Sequence, residues 1–266
     1  MPRYDFRSPR LYRDVPLAAG GRVPLDKMAA NYLLNVLRLS DGAGVLVFNG
    51  RDGEWQAQVS RTGKRDVALA VGERTRSQSP AADLHYLFAP LKQARLDYMV
   101  QKAVELGVSH LRPVLTRHTQ AARVNLERMR ANVIEACEQC GVLAVPVVEE
   151  PVSLERVLAA MDPSRVLVFC DEAADVADPV GALSSLRAAR APLSVLIGPE
   201  GGFAEEERSL LLKHPRTVRL ALGPRILRAD TAAVSALTLV QAVLGDWRGG
   251  SGGVDPAFAQ EGRRSA

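Results

Sequence analysis

A chain of 266 residues is long enough for one large or two modest domains with real cores and no disulfide support. Its 47% hydrophobic and 24% charged residues are ordinary for a globular protein, and no apolar run approaches the roughly 18–20 residues of a membrane helix, which excludes a membrane span. The net charge of +4 is unevenly placed: residues 1–76 carry 13 Lys and Arg against 8 Asp and Glu, the remainder 21 against 22. The excess positive charge therefore sits in the first third, the footprint either of a segment that grips a polyanion such as RNA or of a solvated basic face.

The opening residues, MPRYDFRSPRLYRDV, are cationic without the apolar stretch of a secretory signal. The three cysteines, Cys137, Cys140 and Cys170, make no disulfide framework. The expectation is a cytoplasmic protein with free thiols. Asp26 is placed to cap a helix that carries Met28, Tyr32, Leu33, Val36 and Leu37 on one side. A strand at Val45–Phe48 pairs with residues 53–59, GEWQAQV, across the turn-forming Asn49-Gly50-Arg51-Asp52. Alternation in that second strand puts Trp55, Ala57 and Val59 inside, with Glu54, Gln56 and Gln58 outside. A further strand fits Val67–Val71, completing a small β-rich domain over residues 1–73.

The polar stretch Gly72–Asp83, GERTRSQSPAAD, interrupts the pattern and places a linker at 74–83. From residue 84 to 248 apolar strands alternate with helix-length amphipathic segments. LHYLFAP is followed by a helix over Gln93–Leu106, HLRPVL by one over Leu126–Cys140, and VPVV by the segment after Ser153. RVLVFC precedes a helix starting at Asp178-Pro179, LSVLIG precedes Ala204–Lys213, and TVRLAL precedes Ala229–Gly245. That rhythm predicts an α/β domain built on a mostly parallel sheet with helices on both faces. Residues 249–266 are Gly-rich and polar, the composition of a disordered tail.

In an open parallel sheet ligands bind beyond the carboxyl ends of the strands. Neither GxGxxG nor GxxxxGK[ST] occurs, and the turn Phe88–Gln93 has no glycine, so an ordinary dinucleotide or nucleotide site is excluded. Glycine gathers instead after two late strands, in Gly198-Pro199-Glu200-Gly201-Gly202 and in Gly223-Pro224-Arg225-Ile226-Leu227-Arg228-Ala229-Asp230-Thr231. Such loops let main-chain groups approach a flat ligand closely, or they simply end the strands. Asp230 or Thr231 can cap the following helix; Arg228 and Asp230 equally suit a pair that stabilises an anion and moves a proton. Cys137-x-x-Cys140 falls within a helix pattern without a second pair or a His cluster, and no metal is expected. Glu205-Glu206-Glu207 suits the amino end of a helix.

The stretches Gln101–Val108 (QKAVELGV), Glu135–Gly141 (EACEQCG), Ile197–Phe203 (IGPEGGF) and Leu222–Thr231 (LGPRILRADT) together resemble the RsmE family, SPOUT-class methyltransferases that act on N3 of a uridine in small-subunit (16S) ribosomal RNA. The resemblance implies a PUA-like β-barrel RNA-binding domain followed by a SPOUT α/β domain with a C-terminal trefoil knot, working as a homodimer on ribosomal RNA or the small ribosomal subunit. It implies S-adenosylmethionine as cofactor, held by Ile197, Gly198, Gly201, Gly202, Leu222, Gly223, Ile226 and Leu227. Uridine N3 carries a proton at neutral pH that must leave before the nitrogen attacks. Asp230 is the candidate base, Arg228 the candidate stabiliser of the uridine anion and Glu200 a second candidate base. Arg3, Arg10, Arg38, Lys92, Arg95 and Lys102 are the candidate RNA contacts. Three positions depart from the family pattern: Asp230 stands where Glu is usual, and Val142 and His118 stand where arginines are common. The same chemistry on another RNA such as tRNA, or a non-catalytic ribosome-assembly factor, are the competing readings.

Overall fold

The strands and helices follow the apolar rhythm of the sequence closely, departing from it at a buried carboxylate in the front sheet and at a π turn. The computed structural model describes residues 8–61, 63, 66–121, 123–174, 178–187 and 191–248. Arg3 and the tail 249–266 lie outside these residues. The described chain through Ala81, with Ala131–Val145, forms one compact unit; Ala82–Arg130 and the chain from Pro146 form a second. No helix among the described residues is long and apolar enough to cross a membrane.

The front unit is a five-stranded mixed sheet. Its strands are β1 (Arg10–Tyr12), β2 (Arg22–Pro24), β3 (Gly44–Phe48), β4 (Glu54–Arg61) and β5 (Val67–Arg76), in the order β1-β3-β4-β5-β2. Only β1 and β3 run parallel. Val23, Leu33, Val45, Val47, Ala57, Val59 and Leu69 fill its core. Helix α1 (Lys27–Asn31) starts as expected, with the Asp26 carboxylate accepting from the Ala29 N–H at 2.8 Å. It then widens into a π turn, Tyr32–Val36. The extra residue in that turn rotates the later side chains off the expected face. Leu33 is fully buried, whereas Met28 and Val36 are 82% and 61% exposed, against the sequence expectation.

Strand β4 also departs from simple alternation: Glu54 is buried and Trp55 only partly so. The register slips between Glu54 and Trp55, and again between Trp55 and Ala57. Glu54 is turned inward to a complete set of donors. One carboxylate oxygen accepts from Arg10 Nε at 2.9 Å and Arg76 Nη2 at 2.7 Å. The other accepts from Arg76 Nε and Thr75 Oγ1, both at 2.9 Å. This cluster carries β5 on to Arg76, past the Val71 end read from the apolar pattern. Arg76 also donates to the Gly141 carbonyl at 3.0 Å, and the Tyr12 N–H donates to Glu138 at 2.8 Å. Those two bonds attach residues 131–145 to the front unit, although the sequence reading placed them in the back domain.

The second unit is a seven-stranded parallel sheet. Strands β6 (Leu84–Phe88), β7 (His110–Leu115), β8 (Val147–Val148), β10 (Val166–Cys170), β11 (Leu193–Ile197) and β12 (Thr217–Leu220) lie in the order β12-β10-β11-β6-β7-β8, and β9 (Val152–Ser153) pairs with the far end of β7. The central strands are near-continuous apolar runs because both faces are covered, as parallel sheets require. Tyr86, Phe88, Leu167, Phe169 and Leu196 are all buried. Each such side chain contributes roughly 1.5–3 kcal/mol, enough to make the sheet the rigid base from which its loops project.

The helices are α2 (Gln93–Glu105), α3 (Leu126–Cys140), α4 (Leu154–Ala159), α5 (Pro179–Ser184), α6 (Glu205–Lys213) and α7 (Ala229–Val243). Helix α7 buries Ala229, Ala233, Ala236, Leu237, Val240 and Val243, a stripe at helical spacing, against α2, α5 and β11. Its Gln241 Nε2 donates to the Leu106 carbonyl at 2.6 Å and fastens α7 to the end of α2.

Burial works against the Glu54 charge, yet Arg76, Arg10 and Thr75 together hold its carboxyl below the ordinary value of 4.5. A depressed carboxyl stabilises the fold above that value and loses its contribution as pH falls through the folded-state pKa. In a Trp247→Phe background, with Trp55 fluorescence reporting the front unit, Glu54→Ala is expected to cost about 3–5 kcal/mol in urea at neutral pH, because two guanidinium groups lose the buried carboxylate they share. Glu54→Gln is expected to flatten the loss of stability as pH falls below the ordinary carboxyl value of 4.5. A Gln variant as acid-sensitive as the parent contradicts the assignment.

Candidate active site

Because β10, β11 and β12 are neighbours and run the same way, the loops that follow them emerge at one end of the sheet. Together they enclose a cavity of about 250 Å³. The loop after β11 supplies Gly198, Glu200, Gly202 and Phe203; the loop after β12 supplies Leu222, Gly223, Arg225, Ile226 and Leu227; the end of β10 and its loop supply Cys170, Asp171 and Glu172. The volume falls just below the roughly 300 Å³ at which ordinary small-molecule sites begin. The Ile226 side chain stands 93% exposed at the rim and leaves one side open to a larger guest.

Three positions in these loops require glycine: Gly198 for lack of space, and Gly202 (φ +71°) and Gly223 for a left-handed backbone. A Cβ on Gly198 would lie 2.4 Å from the Phe203 ring, which packs edge-on against Phe169 with centroids 5.3 Å apart. Gly223 has φ +95°, a conformation that side chains rarely adopt. The Gly202 N–H donates to the Pro199 carbonyl at 2.9 Å and closes the first loop into a turn. His118 lies against that turn, its Nδ1 3.0 Å from the Gly202 carbonyl oxygen. Glu207, read from sequence only as a helix-start acid, is buried and accepts from the Ala204 N–H at 3.0 Å and the Arg117 N–H at 2.8 Å. It thereby joins the start of α6 to the loop that carries His118.

The charges around the cavity are mostly spoken for. Asp171 is buried, which works against its charge, but Arg208, the Ala173 N–H and Arg219 hold its carboxyl below the ordinary range. The Arg208 and Arg219 contacts are 3.0 and 2.8 Å. Glu200 is paired with Arg95 of α2. Burial pushes the Cys170 thiol up to about 12, so it enters the wall as an uncharged, unreactive group.

Of the residues singled out in the sequence, Ile197, Gly198, Glu200, Gly202, Leu222, Gly223, Ile226 and Leu227 come together around this cavity. Gly201 stands beside it, facing His118. Arg228 is the exposed residue that begins α7, and Asp230 lies in the first turn, where its carboxylate accepts from the Thr231 N–H at 2.9 Å. Neither is among the residues lining the cavity, although the chain joins them to Leu227 and Ala229, which are. Among the RNA candidates, Arg38 and Lys92 are exposed, Lys102 bonds Glu105 at 2.6 Å, and Arg95 is committed to Glu200. Arg10 corrects the sequence reading: it is buried against Glu54 and presents no charge to a phosphate. The loop after β10 was missed, although its position after the strand RVLVFC was a signal of the kind that found the other two.

A family model described as an RNA methyltransferase domain matches residues 77–241, more than half of the chain, and one described as an RNA methyltransferase PUA domain matches residues 25–71. The ribosomal RNA small subunit methyltransferase E of Rickettsia conorii is 31% identical over 233 residues, 87% of this chain and 94% of the relative. The chain belongs to the ribosomal RNA small subunit methyltransferase E (RsmE) family. A crystal structure of an RsmE protein from Neisseria gonorrhoeae bound to S-adenosylmethionine superimposes with a TM-score of 0.78 at 26% identity, covering 90% of this chain and 98% of that one. A methyltransferase from Legionella pneumophila, also in complex with S-adenosylmethionine, gives 0.76 at 28% identity, covering 90% and 99%. The front sheet therefore lies in the PUA domain and the parallel α/β sheet in the RNA methyltransferase domain of the RsmE family.

The cavity suits S-adenosylmethionine as the RsmE cofactor. Ile197, Leu222 and Leu227 give the cavity apolar walls, and the missing side chain of Gly198 makes room for the Phe203 ring that lines it. Gly198→Ala is expected to displace the Phe203 ring at a cost of roughly 1–3 kcal/mol and to weaken cofactor binding measured by calorimetry. Adding Phe203→Leu should restore much of the lost stability. A Gly198→Ala protein that melts and binds cofactor like the parent shows that the loop is not built around this contact.

Proposed function

We propose that this protein transfers a methyl group from S-adenosylmethionine to N3 of a specific uridine in 16S ribosomal RNA, and that it works in the cytoplasm as a homodimer. The observation that carries the reading is the single cavity shared by the Gly198–Gly202 and Gly223–Leu227 loops, in a fold whose RsmE relative binds S-adenosylmethionine. Its cysteines are free thiols, as suits a reducing compartment. Exposed Tyr98, Val180 and Trp247 offer apolar surface to a second copy. The C-terminal trefoil knot belongs to the same proposal, supported by the return of α7 from the edge strand β12 to pack on α2 and β11.

Ile197, Gly198, Gly201, Gly202, Leu222, Gly223, Ile226 and Leu227 would hold the cofactor, largely by main-chain contact. When bound, S-adenosylmethionine supplies a methyl group on a sulfonium, electrophilic enough to need no metal. What the chain must add is a deprotonated uridine nitrogen in the right place. Asp230 is the proposed base: one carboxylate oxygen is occupied by the Thr231 N–H, which orients the group, and the other is left to take the N3 proton. Arg228, two residues earlier, engages no partner among the described residues and is placed to stabilise the charge that spreads onto the uracil oxygens. Glu200 suits the base role less well because it is tied to Arg95.

RNA would be gripped by Arg38 of the front unit and by Lys92 and Lys102 of the back unit, with Arg95 joining them if a phosphate draws it from Glu200. The front domain, residues 1–73, carries the excess positive charge and takes the RNA-binding role.

Asp230→Asn and Arg228→Ala are each expected to lower the rate of 3-methyluridine formation by roughly 10²-fold or more, measured by nucleoside mass spectrometry on ribosomal RNA or small subunits, while calorimetric binding of S-adenosylmethionine stays near the parental value. Parental rates in both variants would remove the pair from the chemistry. Methylated transfer RNA in place of ribosomal RNA would redirect the substrate.

A further inference from the structure

A methyl donor entering this cavity brings a sulfonium cation among both apolar side chains, Ile197, Leu222, Leu227 and Phe203, and charged ones. A cation that gives up part of its water there is favoured by a nearby anion. Three carboxylates reach the cavity: Asp171, Glu172 and Glu200. Asp171 is saturated by Arg208 and Arg219, and Glu200 is paired with Arg95. Glu172 is different. It forms no hydrogen bond or ion pair among the described residues, and the Arg208 guanidinium that feels its field is bonded to Asp171 instead. One Glu172 carboxylate oxygen lies 3.5 Å from the point where a Cβ would stand on Gly202, so the side chain reaches over the glycine loop.

Resting on the methyltransferase reading, we propose that Glu172 is the counter-charge for the sulfonium, and that it makes the site discriminate the cationic donor from the neutral thioether left after transfer. Donor and product share an adenosine, an ammonium and a carboxylate, and differ in the methyl group and the positive charge it confers. Main-chain contacts from the two glycine loops grip the shared parts and cannot by themselves favour the donor. A single carboxylate directed at sulfur does so and allows the spent product to leave. Arg225, exposed on the opposite loop and lining the same cavity, is the cation available to the carboxylate that both molecules carry.

The test is calorimetry on the full chain with S-adenosylmethionine, S-adenosylhomocysteine and sinefungin, an analogue that keeps a cation at the position of the sulfonium. Glu172→Gln is expected to weaken donor and sinefungin binding by roughly tenfold and to leave the thioether within about twofold. Arg225→Gln should weaken all three alike. In the parental protein the preference for donor over product should shrink as salt is raised, since the charge involved is exposed to solvent. Equal losses for donor and product in Glu172→Gln, or no loss in either, overturn the proposal, as does a salt-independent preference in the parent. A parental chain that binds none of the three ligands refutes the methyltransferase reading itself, a result distinct from failure of the Glu172 assignment.

Discussion

The structure depends on a geometric constraint: three adjacent parallel strands end at the same edge of a buried sheet, and their following loops must share the space beyond it. Phe169 and Leu196 lie in the core beneath those loops. Burial on both faces leaves the strands little freedom. The loops therefore start from fixed points, and their shape is decided locally by Gly198 under the Phe203 ring, the Gly202 to Pro199 turn and the left-handed Gly223. Main-chain groups left accessible at these glycines would suit a ligand whose recognisable part is a flat heterocycle, because they are already in place and lose no side-chain entropy on binding.

Electrostatics around the site follow a division of labour. Asp171 with Arg208 and Arg219, and Glu207 with Ala204 and Arg117, use charge to hold loops and helix starts in position. Their hydrogen-bonding positions are filled from within the chain, so their part is to hold the scaffold. Arg228, Asp230, Glu172 and Arg225 lie at or beside the cavity and keep charged atoms available. The contrast between satisfied and available charges separates scaffold from chemistry better than proximity does, and the front unit repeats it: Arg10 is bound up in the sheet, whereas Arg38 is exposed.

Most of the strand and helix order was legible in the sequence, because an apolar run covered on both faces or an amphipathic stripe leaves a periodic trace. The departures lie where the deciding contact or turn leaves no periodic trace. Glu54 reads as an outward residue by alternation, yet two arginines distant in sequence draw it inside, and no local pattern records that pairing. The same cluster lengthens β5, and with Glu138 and Gly141 it draws residues 131–145 into the front unit. The exposure of Val36 was misread because a π turn shifts the helical phase by a residue, which the identities at Tyr32–Val36 do not announce; the exposure of Met28, ahead of that turn, has no such explanation. At the site, the glycines made two loops visible. The third, after β10, has no glycine to mark it, and Asp171 and Glu172 read as an ordinary polar strand end until the sheet order sets β10 between β11 and β12.

The central claim is that the backbone of the β11 and β12 loops forms the cofactor site. Hydrogen–deuterium exchange with and without saturating S-adenosylmethionine addresses it directly, because it reads main-chain amides. The account predicts slowed exchange in peptides covering residues 198–204 and 222–230, with little change across the front sheet. Binding without protection in those two segments, or with protection centred elsewhere, would contradict it.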